Sequence, residues 1–139
     1  MILLDTSGVL AALDASQHRH EASARALRAA GSPLLLSPFV LAELDYLLER
    51  RVGRAAQMAL LGEVGRGAYR LEPFASDDVA EAREVIDRYS DLGVGLTDAS
   101  IVVLARRYDA RDLLTLDERH FRVLNGPLDR PFRLLPADS

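Results

Sequence analysis

Four acidic residues stand where a carboxylate can do chemistry rather than decorate a surface. Asp5 closes the apolar run MILL and is followed at once by Thr6, Ser7 and Gly8. Asp117 closes DLLTL in the same way, Asp98 stands near the head of TDASIVVLARRY, and Glu43 lies inside PFVLAELDYLLERR. Each has an ordinary reading. Asp5 and Asp117 are suited to cap a following helix. Asp98 follows Thr97, a good cap, and an acid there is favoured by the helix dipole. Glu43 and Asp45 border opposite margins of one apolar stripe, and periodicity does not choose between them. Taken together the acids read differently. Two carboxylates about 4 Å apart repel by about 4 kcal/mol at an effective dielectric near 20. Converging acids raise one another's pKa unless a cation joins them. Mg²⁺ and Mn²⁺ accept such oxygen ligands. Zn²⁺ has little support, because the chain has no cysteine and no pair of histidines at ligand spacing.

The acids can share an ion only if the elements deliver them to one place. Residues 1–4, 34–37, 68–72, 112–116 and 132–135 read as five short, mostly apolar strands. Helices are expected over about 7–14, 18–30, 38–52, 54–66, 76–91 (capped by Ser76) and 97–108 (capped by Thr97), with a short helical turn at DERHF. Strands separated by helices predict parallel pairing through right-handed crossovers. Strands this apolar suit a sheet covered on both faces. The fold class is therefore α/β, a three-layer α/β/α sandwich with a mainly parallel sheet of about five strands, in a single domain over 1–139. In such sheets the site lies beyond the carboxyl ends of the strands, at the switch in strand order. Asp5, Ser37 and Asp117 all follow strands, and the helix after Ser37 carries Glu43.

The composition sets limits. The formal net charge of −4 argues against non-specific duplex binding through a basic surface. All 17 basic residues are arginine, so chemistry that needs a lysine is excluded and any phosphate contact must come from Arg. The absence of cysteine fits a reducing compartment. The run MILL is too short for a signal peptide, and no apolar stretch approaches a membrane span, which makes the cytoplasm the expected location.

Four stretches in order, LLDTSGVLAALD, SPFVLAELDYLL, LGVGLTDASIVVLA and LLTLDERHF, resemble the PIN domain, most closely the VapC-type toxins of bacterial toxin–antitoxin pairs. The resemblance covers nearly the whole chain. It implies that Asp5, Glu43, Asp98 and Asp117 form an acidic site, with Mg²⁺ or Mn²⁺ held by Asp5, Asp98 and Asp117 and by Glu43 through water. It selects Glu43 over Asp45. It also implies a role beside the metal for Thr6, with Thr115 as a weaker candidate of the same kind. The implied activity is endoribonuclease cleavage of RNA. The implied partners are a VapB-type antitoxin that covers the groove and a second copy of the chain, with DNA reached only through the antitoxin. The helices over 38–66 are the first choice for the dimer face.

Other residues read as less specific. His18 and His20 suit a polar surface, and His120 a structural role near the site. Asp77, Asp78, Glu81 and Glu84 form a solvated helix edge, and Asp91 precedes the LGVGL loop. Arg119, within the LLTLDERHF segment, and Arg122, just after it, are candidates for RNA contact. Two rival functions remain. A strand-ending Asp also begins Asp-based phosphatases and phosphoacceptor domains, but the former usually carry a second Asp where this chain has Ser7, and both use a lysine. A non-catalytic module that binds antitoxin or RNA would keep the fold, and retention of all four acids counts against it.

Overall fold

The apolar runs form β1 (Ile2–Leu4), β2 (Leu34–Leu36), β3 (Arg70–Leu71), β4 (Asp112–Leu114) and β5 (Arg133–Leu135) in a computed structural model that describes all 139 residues. They make one sheet in the order β3-β2-β1-β4-β5, and every pairing is parallel. Helices connect them: α1 (Thr6–Leu13), α2 (His20–Ala29), α3 (Pro38–Arg51), α4 (Arg54–Gly65), α5 (Ser76–Arg88), α6 (Leu96–Tyr108) and α7 (Glu118–Phe121). The chain moves outward from β1 to β3, then returns to lay β4 on the other side of β1. Right-handed crossovers therefore place α1–α4 and α5–α6 on opposite faces, the three-layer arrangement expected from the sequence.

The strands end before their apolar runs do, and the side chains just beyond them serve the helices and the site. Ser37 is not the end of β2 but the cap of α3, its Oγ accepting from the Phe39 N–H at 3.2 Å. Thr115 and Leu116 likewise lie beyond β4. Two expected caps are displaced. α5 begins at Ser76 itself, after Ala75, whose N–H donates to Asp78 Oδ2 at 2.8 Å. α6 begins one residue before Thr97, with Gly95 preceding it, so Asp98 is the third helical residue.

Leu3, Leu35, Leu113, Leu114 and Leu134 are completely buried, as strands covered on both faces require. The seven residues Ala99–Ala105 of α6 are all buried, so this helix is covered all round. α1 is seated as tightly. A Cβ at Gly8 would lie 2.5 Å from Leu114 O, so only glycine lets the first turn of α1 rest on the end of β4. At the opposite edge, buried Glu72 pins β3: its carboxylate takes Arg70 Nε at 2.8 Å, Arg107 Nη1 at 3.3 Å and the Tyr108 hydroxyl. No helix is long and apolar enough to cross a membrane.

Candidate active site

The pairings of β1 with β4, Leu3 with Leu113 and Leu4 with Leu114, put Asp5 level with Thr115. This is the point where strand order reverses, and the Asp5 N–H completes the ladder to Leu114 O at 3.0 Å. The Asp5 side chain caps nothing. Instead its Oδ2 accepts from Thr115 Oγ1 at 2.6 Å and Ser7 Oγ at 2.8 Å. Both hydroxyls accept in turn, Thr115 from the Asp117 N–H at 2.9 Å and Ser7 from the Leu116 N–H at 3.0 Å. One hydroxyl network thus fixes the Asp5 carboxylate and the backbone that carries Asp117.

Asp117 does cap its helix, Oδ1 accepting from the His120 N–H at 3.0 Å. Its other oxygen lies 2.8 Å from His120 Nδ1. The same ring nitrogen is 3.5 Å from Asp98 Oδ2. An ionised carboxylate only accepts, so without a cation the Asp117 contact places the proton on Nδ1, and a metal ligated by that nitrogen would have to displace it. Glu43 is exposed on α3 and faces the same cleft, a depression of about 260 Å³ that Asp5, Asp98 and Asp117 also line. Asp45 turns away and accepts from Gln57 of α4 at 2.8 Å.

The electrostatics are those of acids held close together. Burial pushes the Asp5 carboxyl up, against the hydrogen bonds from Thr115 and Ser7 that favour its charge. The Asp98 carboxyl is pushed up to about 6, first by burial and then by the charge of Asp5. Asp117 and Glu43 add to this and His120 opposes it. A cation would relieve the conflict.

The donor set fits one. Asp98, Asp117 and His120 each offer an atom, all within 4.8 Å of one another. That tight group contains His120 in place of the Asp5 expected from the sequence, while Asp5 lines the cleft beside it. Thr6 adds an independent sign: its hydroxyl is buried against the cleft with no partner in the protein. A buried hydroxyl without a partner is costly and points to a water or a ligand. The two carboxylates suit Mg²⁺ or Mn²⁺, whereas the imidazole nitrogen is not a ligand that Mg²⁺ favours.

The PIN domain family profile matches residues 2–126. The chain is 38% identical over 135 residues to Ribonuclease VapC26 of Mycobacterium tuberculosis, covering 97% of this chain and 100% of that one. The chain belongs to the PIN-domain family. Its fold resembles the crystal structure of Mycobacterium tuberculosis VapC20, described as a Sarcin-Ricin loop cleaving toxin, with a TM-score of 0.78 and 26% identity over 84% of this chain and 90% of that one. It shares the fold of VapBC2 from Rickettsia felis, solved bound to a DNA fragment from their promoter, with a TM-score of 0.67 and 19% identity over 96% and 98% of the two chains. A toxin–antitoxin complex from Klebsiella pneumoniae gives 0.70 at 16% identity over 92% and 96%.

Within this PIN domain the remaining sequence candidates separate. Arg122 is held by Glu118 at 2.9 Å and Asp138 at 2.7 Å. Arg119 is exposed and does not line the cleft. His20 bonds the Ala11 carbonyl at 2.8 Å, and exposed His18 lies outside the cleft. Asp91 sits in a 3₁₀ turn, Ser90–Leu92, outside the cleft. Three residues carry more than their sequence context suggests. His120, expected to be structural, stands between two site carboxylates. Ser7 braces Asp5. Arg51, at the end of α3, lines the cleft. The helical spacing 43, 47, 51 was the available signal for Arg51.

Proposed function

We infer that this protein is a VapC-type endoribonuclease that depends on Mg²⁺ or Mn²⁺ and acts as the toxin of a toxin–antitoxin pair. The observation that carries the reading is the meeting of Asp5, Asp98, Asp117 and Glu43 at one cleft, two of them with carboxyls pushed up by burial and by neighbouring acids. Asp98 and Asp117, with His120 and Asp5 beside them, would hold the metal. A divalent ion held there would supply polarisation of the scissile phosphate and activation of a water for in-line attack.

The chain's own residues account for the rest. Thr115 and Ser7 orient Asp5, and the cap at His120 fixes Asp117. The Glu43 side chain makes no hydrogen bond within the protein and is exposed to the cleft, so it is free to orient or deprotonate the attacking water. The Thr6 hydroxyl provides a ready partner for a water beside the metal.

Because the fold is shared with toxins seen in complex with antitoxins, the same acidic cleft is the surface to restrain. A VapB-type antitoxin covers it, and DNA is reached only through that partner. Tyr46, Val52, Met58 and Leu61 leave apolar surface exposed on α3, α4 and the turn between them. They support this face as the one for a second copy of the chain. RNA as substrate makes the cytoplasm its place of action.

The test is cleavage of a structured or single-stranded RNA by the purified protein with Mn²⁺. Wild type cuts, and Asp98→Asn cuts at least about 100-fold more slowly, the scale of a lost electrostatic group in an active site. No cleavage by wild type, or equal cleavage by Asp98→Asn, overturns the reading.

A further inference from the structure

We propose that Arg51 is the residue of this cleft that binds the RNA backbone. The inference rests on the ribonuclease reading above and names the group that engages the substrate there. Arg51 is the one basic residue lining the cleft, among Asp5, Glu43, Asp98 and Asp117. It closes α3, eight residues after Glu43, with Leu47 between them facing the same cleft.

The arginines of this chain that lie near carboxylates are mostly spent on them. Arg70 and Arg107 hold Glu72, Arg88 holds Asp129, Arg106 holds Glu81, and Arg122 holds Glu118 and Asp138. Arg50, the neighbour of Arg51, pairs with Glu49 and lies over the Tyr46 ring. Arg51 shares a cleft with four acids and pairs with none of them. Favour from the helix dipole accounts for a cation in the last turn, but Arg50 supplies that equally and points elsewhere. Dipole favour therefore does not explain why Arg51 borders the cleft.

A polyanion does explain it. Four carboxylates repel an approaching RNA strand, and a bound divalent ion cancels only part of that charge. A guanidinium on the rim offers two parallel N–H donors to phosphate oxygens. Eight helical residues separate Arg51 from Glu43 by about 12 Å along the α3 axis. Arg51 therefore holds a phosphate that flanks the scissile one, and it acts on substrate binding rather than on the chemical step.

The experiment measures equilibrium binding of a fluorescein-labelled single-stranded RNA over a range of salt, with Ca²⁺ replacing Mn²⁺ to suppress cleavage. Wild type, Arg51→Ala and Arg51→Lys are compared. Arg51→Ala is expected to bind about tenfold more weakly, the scale of one charge-assisted contact. Its slope of log affinity against log salt should shrink by about 0.7, the loss of one single-strand phosphate contact. Arg51→Lys should restore most of that slope. Mn²⁺ affinity without RNA and thermal stability should stay at wild-type values, because Arg51 is exposed. The proposal falls if Arg51→Ala binds RNA as tightly as wild type with the same salt slope, or if its Mn²⁺ affinity drops in parallel. Wild-type protein that binds no RNA overturns the ribonuclease reading as well. Wild type that binds while Arg51→Ala binds equally overturns this inference alone.

Discussion

Thr115 has one hydroxyl and two duties. It donates to Asp5 and accepts from the backbone of Asp117, so a single side chain sets the spacing of two site acids. Thr115→Val keeps the shape and removes both bonds. The expected outcome is a 10- to 100-fold loss of Mn²⁺ affinity, the range for groups that orient metal ligands. Titration calorimetry checks it, and affinity unchanged from wild type would show that Asp5 needs no orienting. Much of this was legible in the sequence. Asp5 and Asp117 announce themselves by ending apolar runs, and Thr115 stands two residues before the second of them. Glu43 against Asp45 was not decidable from residues alone. Both flank the buried stripe of Val40, Leu44 and Leu48, and what separates them is that one flank meets the cleft while the other meets Gln57 of α4. Ser7 and His120 stayed inconspicuous because a hydroxyl or imidazole gains meaning only from the atoms that face it.

The elements that deliver these residues tolerate little movement. The first turn of α1 rests on the last carbonyl of β4, with no room at Gly8 for a methyl group. Gly8→Ala must push α1 away, at a cost of about 1–3 kcal/mol as for other overpacked sites. Because Ser7 bonds both Asp5 and the backbone after β4, the same shift loosens the site. Urea unfolding and Mn²⁺ titration should both register the substitution; a variant changed in neither would mean that α1 and β4 separate freely. Element existence and order were readable from the alternation of apolar runs with amphipathic stretches. Their ends were less so. Ser37, Thr115 and Leu116 extend apolar or β-prone runs, yet tertiary hydrogen bonds claim them for capping and for the site. Thr97 looked like the cap of α6, but the helix starts earlier, at Leu96 after Gly95.

At the scale of the whole molecule, topology gathers negative charge at one edge of the sheet, and stability should depend on pH accordingly. Asp5 and Asp98 are raised above the ordinary carboxylate value by burial, Asp98 to about 6. A carboxyl raised on folding binds protons more tightly in the folded chain. Its contribution is complete below the unfolded pKa and is lost as pH climbs through the folded one. In chelator, the melting temperature should therefore fall between about pH 4 and pH 6. Asp138 and Asp129, held low by Arg122 and Asn125, change only below that window. Mn²⁺ at 100 times its dissociation constant should return about 2.7 kcal/mol at neutral pH, and much less at pH 5, where protons compete for the same oxygens. Calorimetric scans with and without Mn²⁺ test this; a melting temperature that rises with pH across the window would refute it.

On the proposed reading of Asp98 as a site acid, α6 couples activity to folding in a way that bears on how such a gene decays. Asp98 projects from the head of a helix whose next seven residues are all buried. Almost any polar change along Ala99–Ala105 removes activity by removing the protein. Selection of survivors from cells expressing a random library should thus return two populations. One makes soluble, inert protein altered at the acids. The other makes little soluble protein and is altered along α6. Only the first can still occupy an antitoxin, so the two escape routes leave a cell with different amounts of free antitoxin.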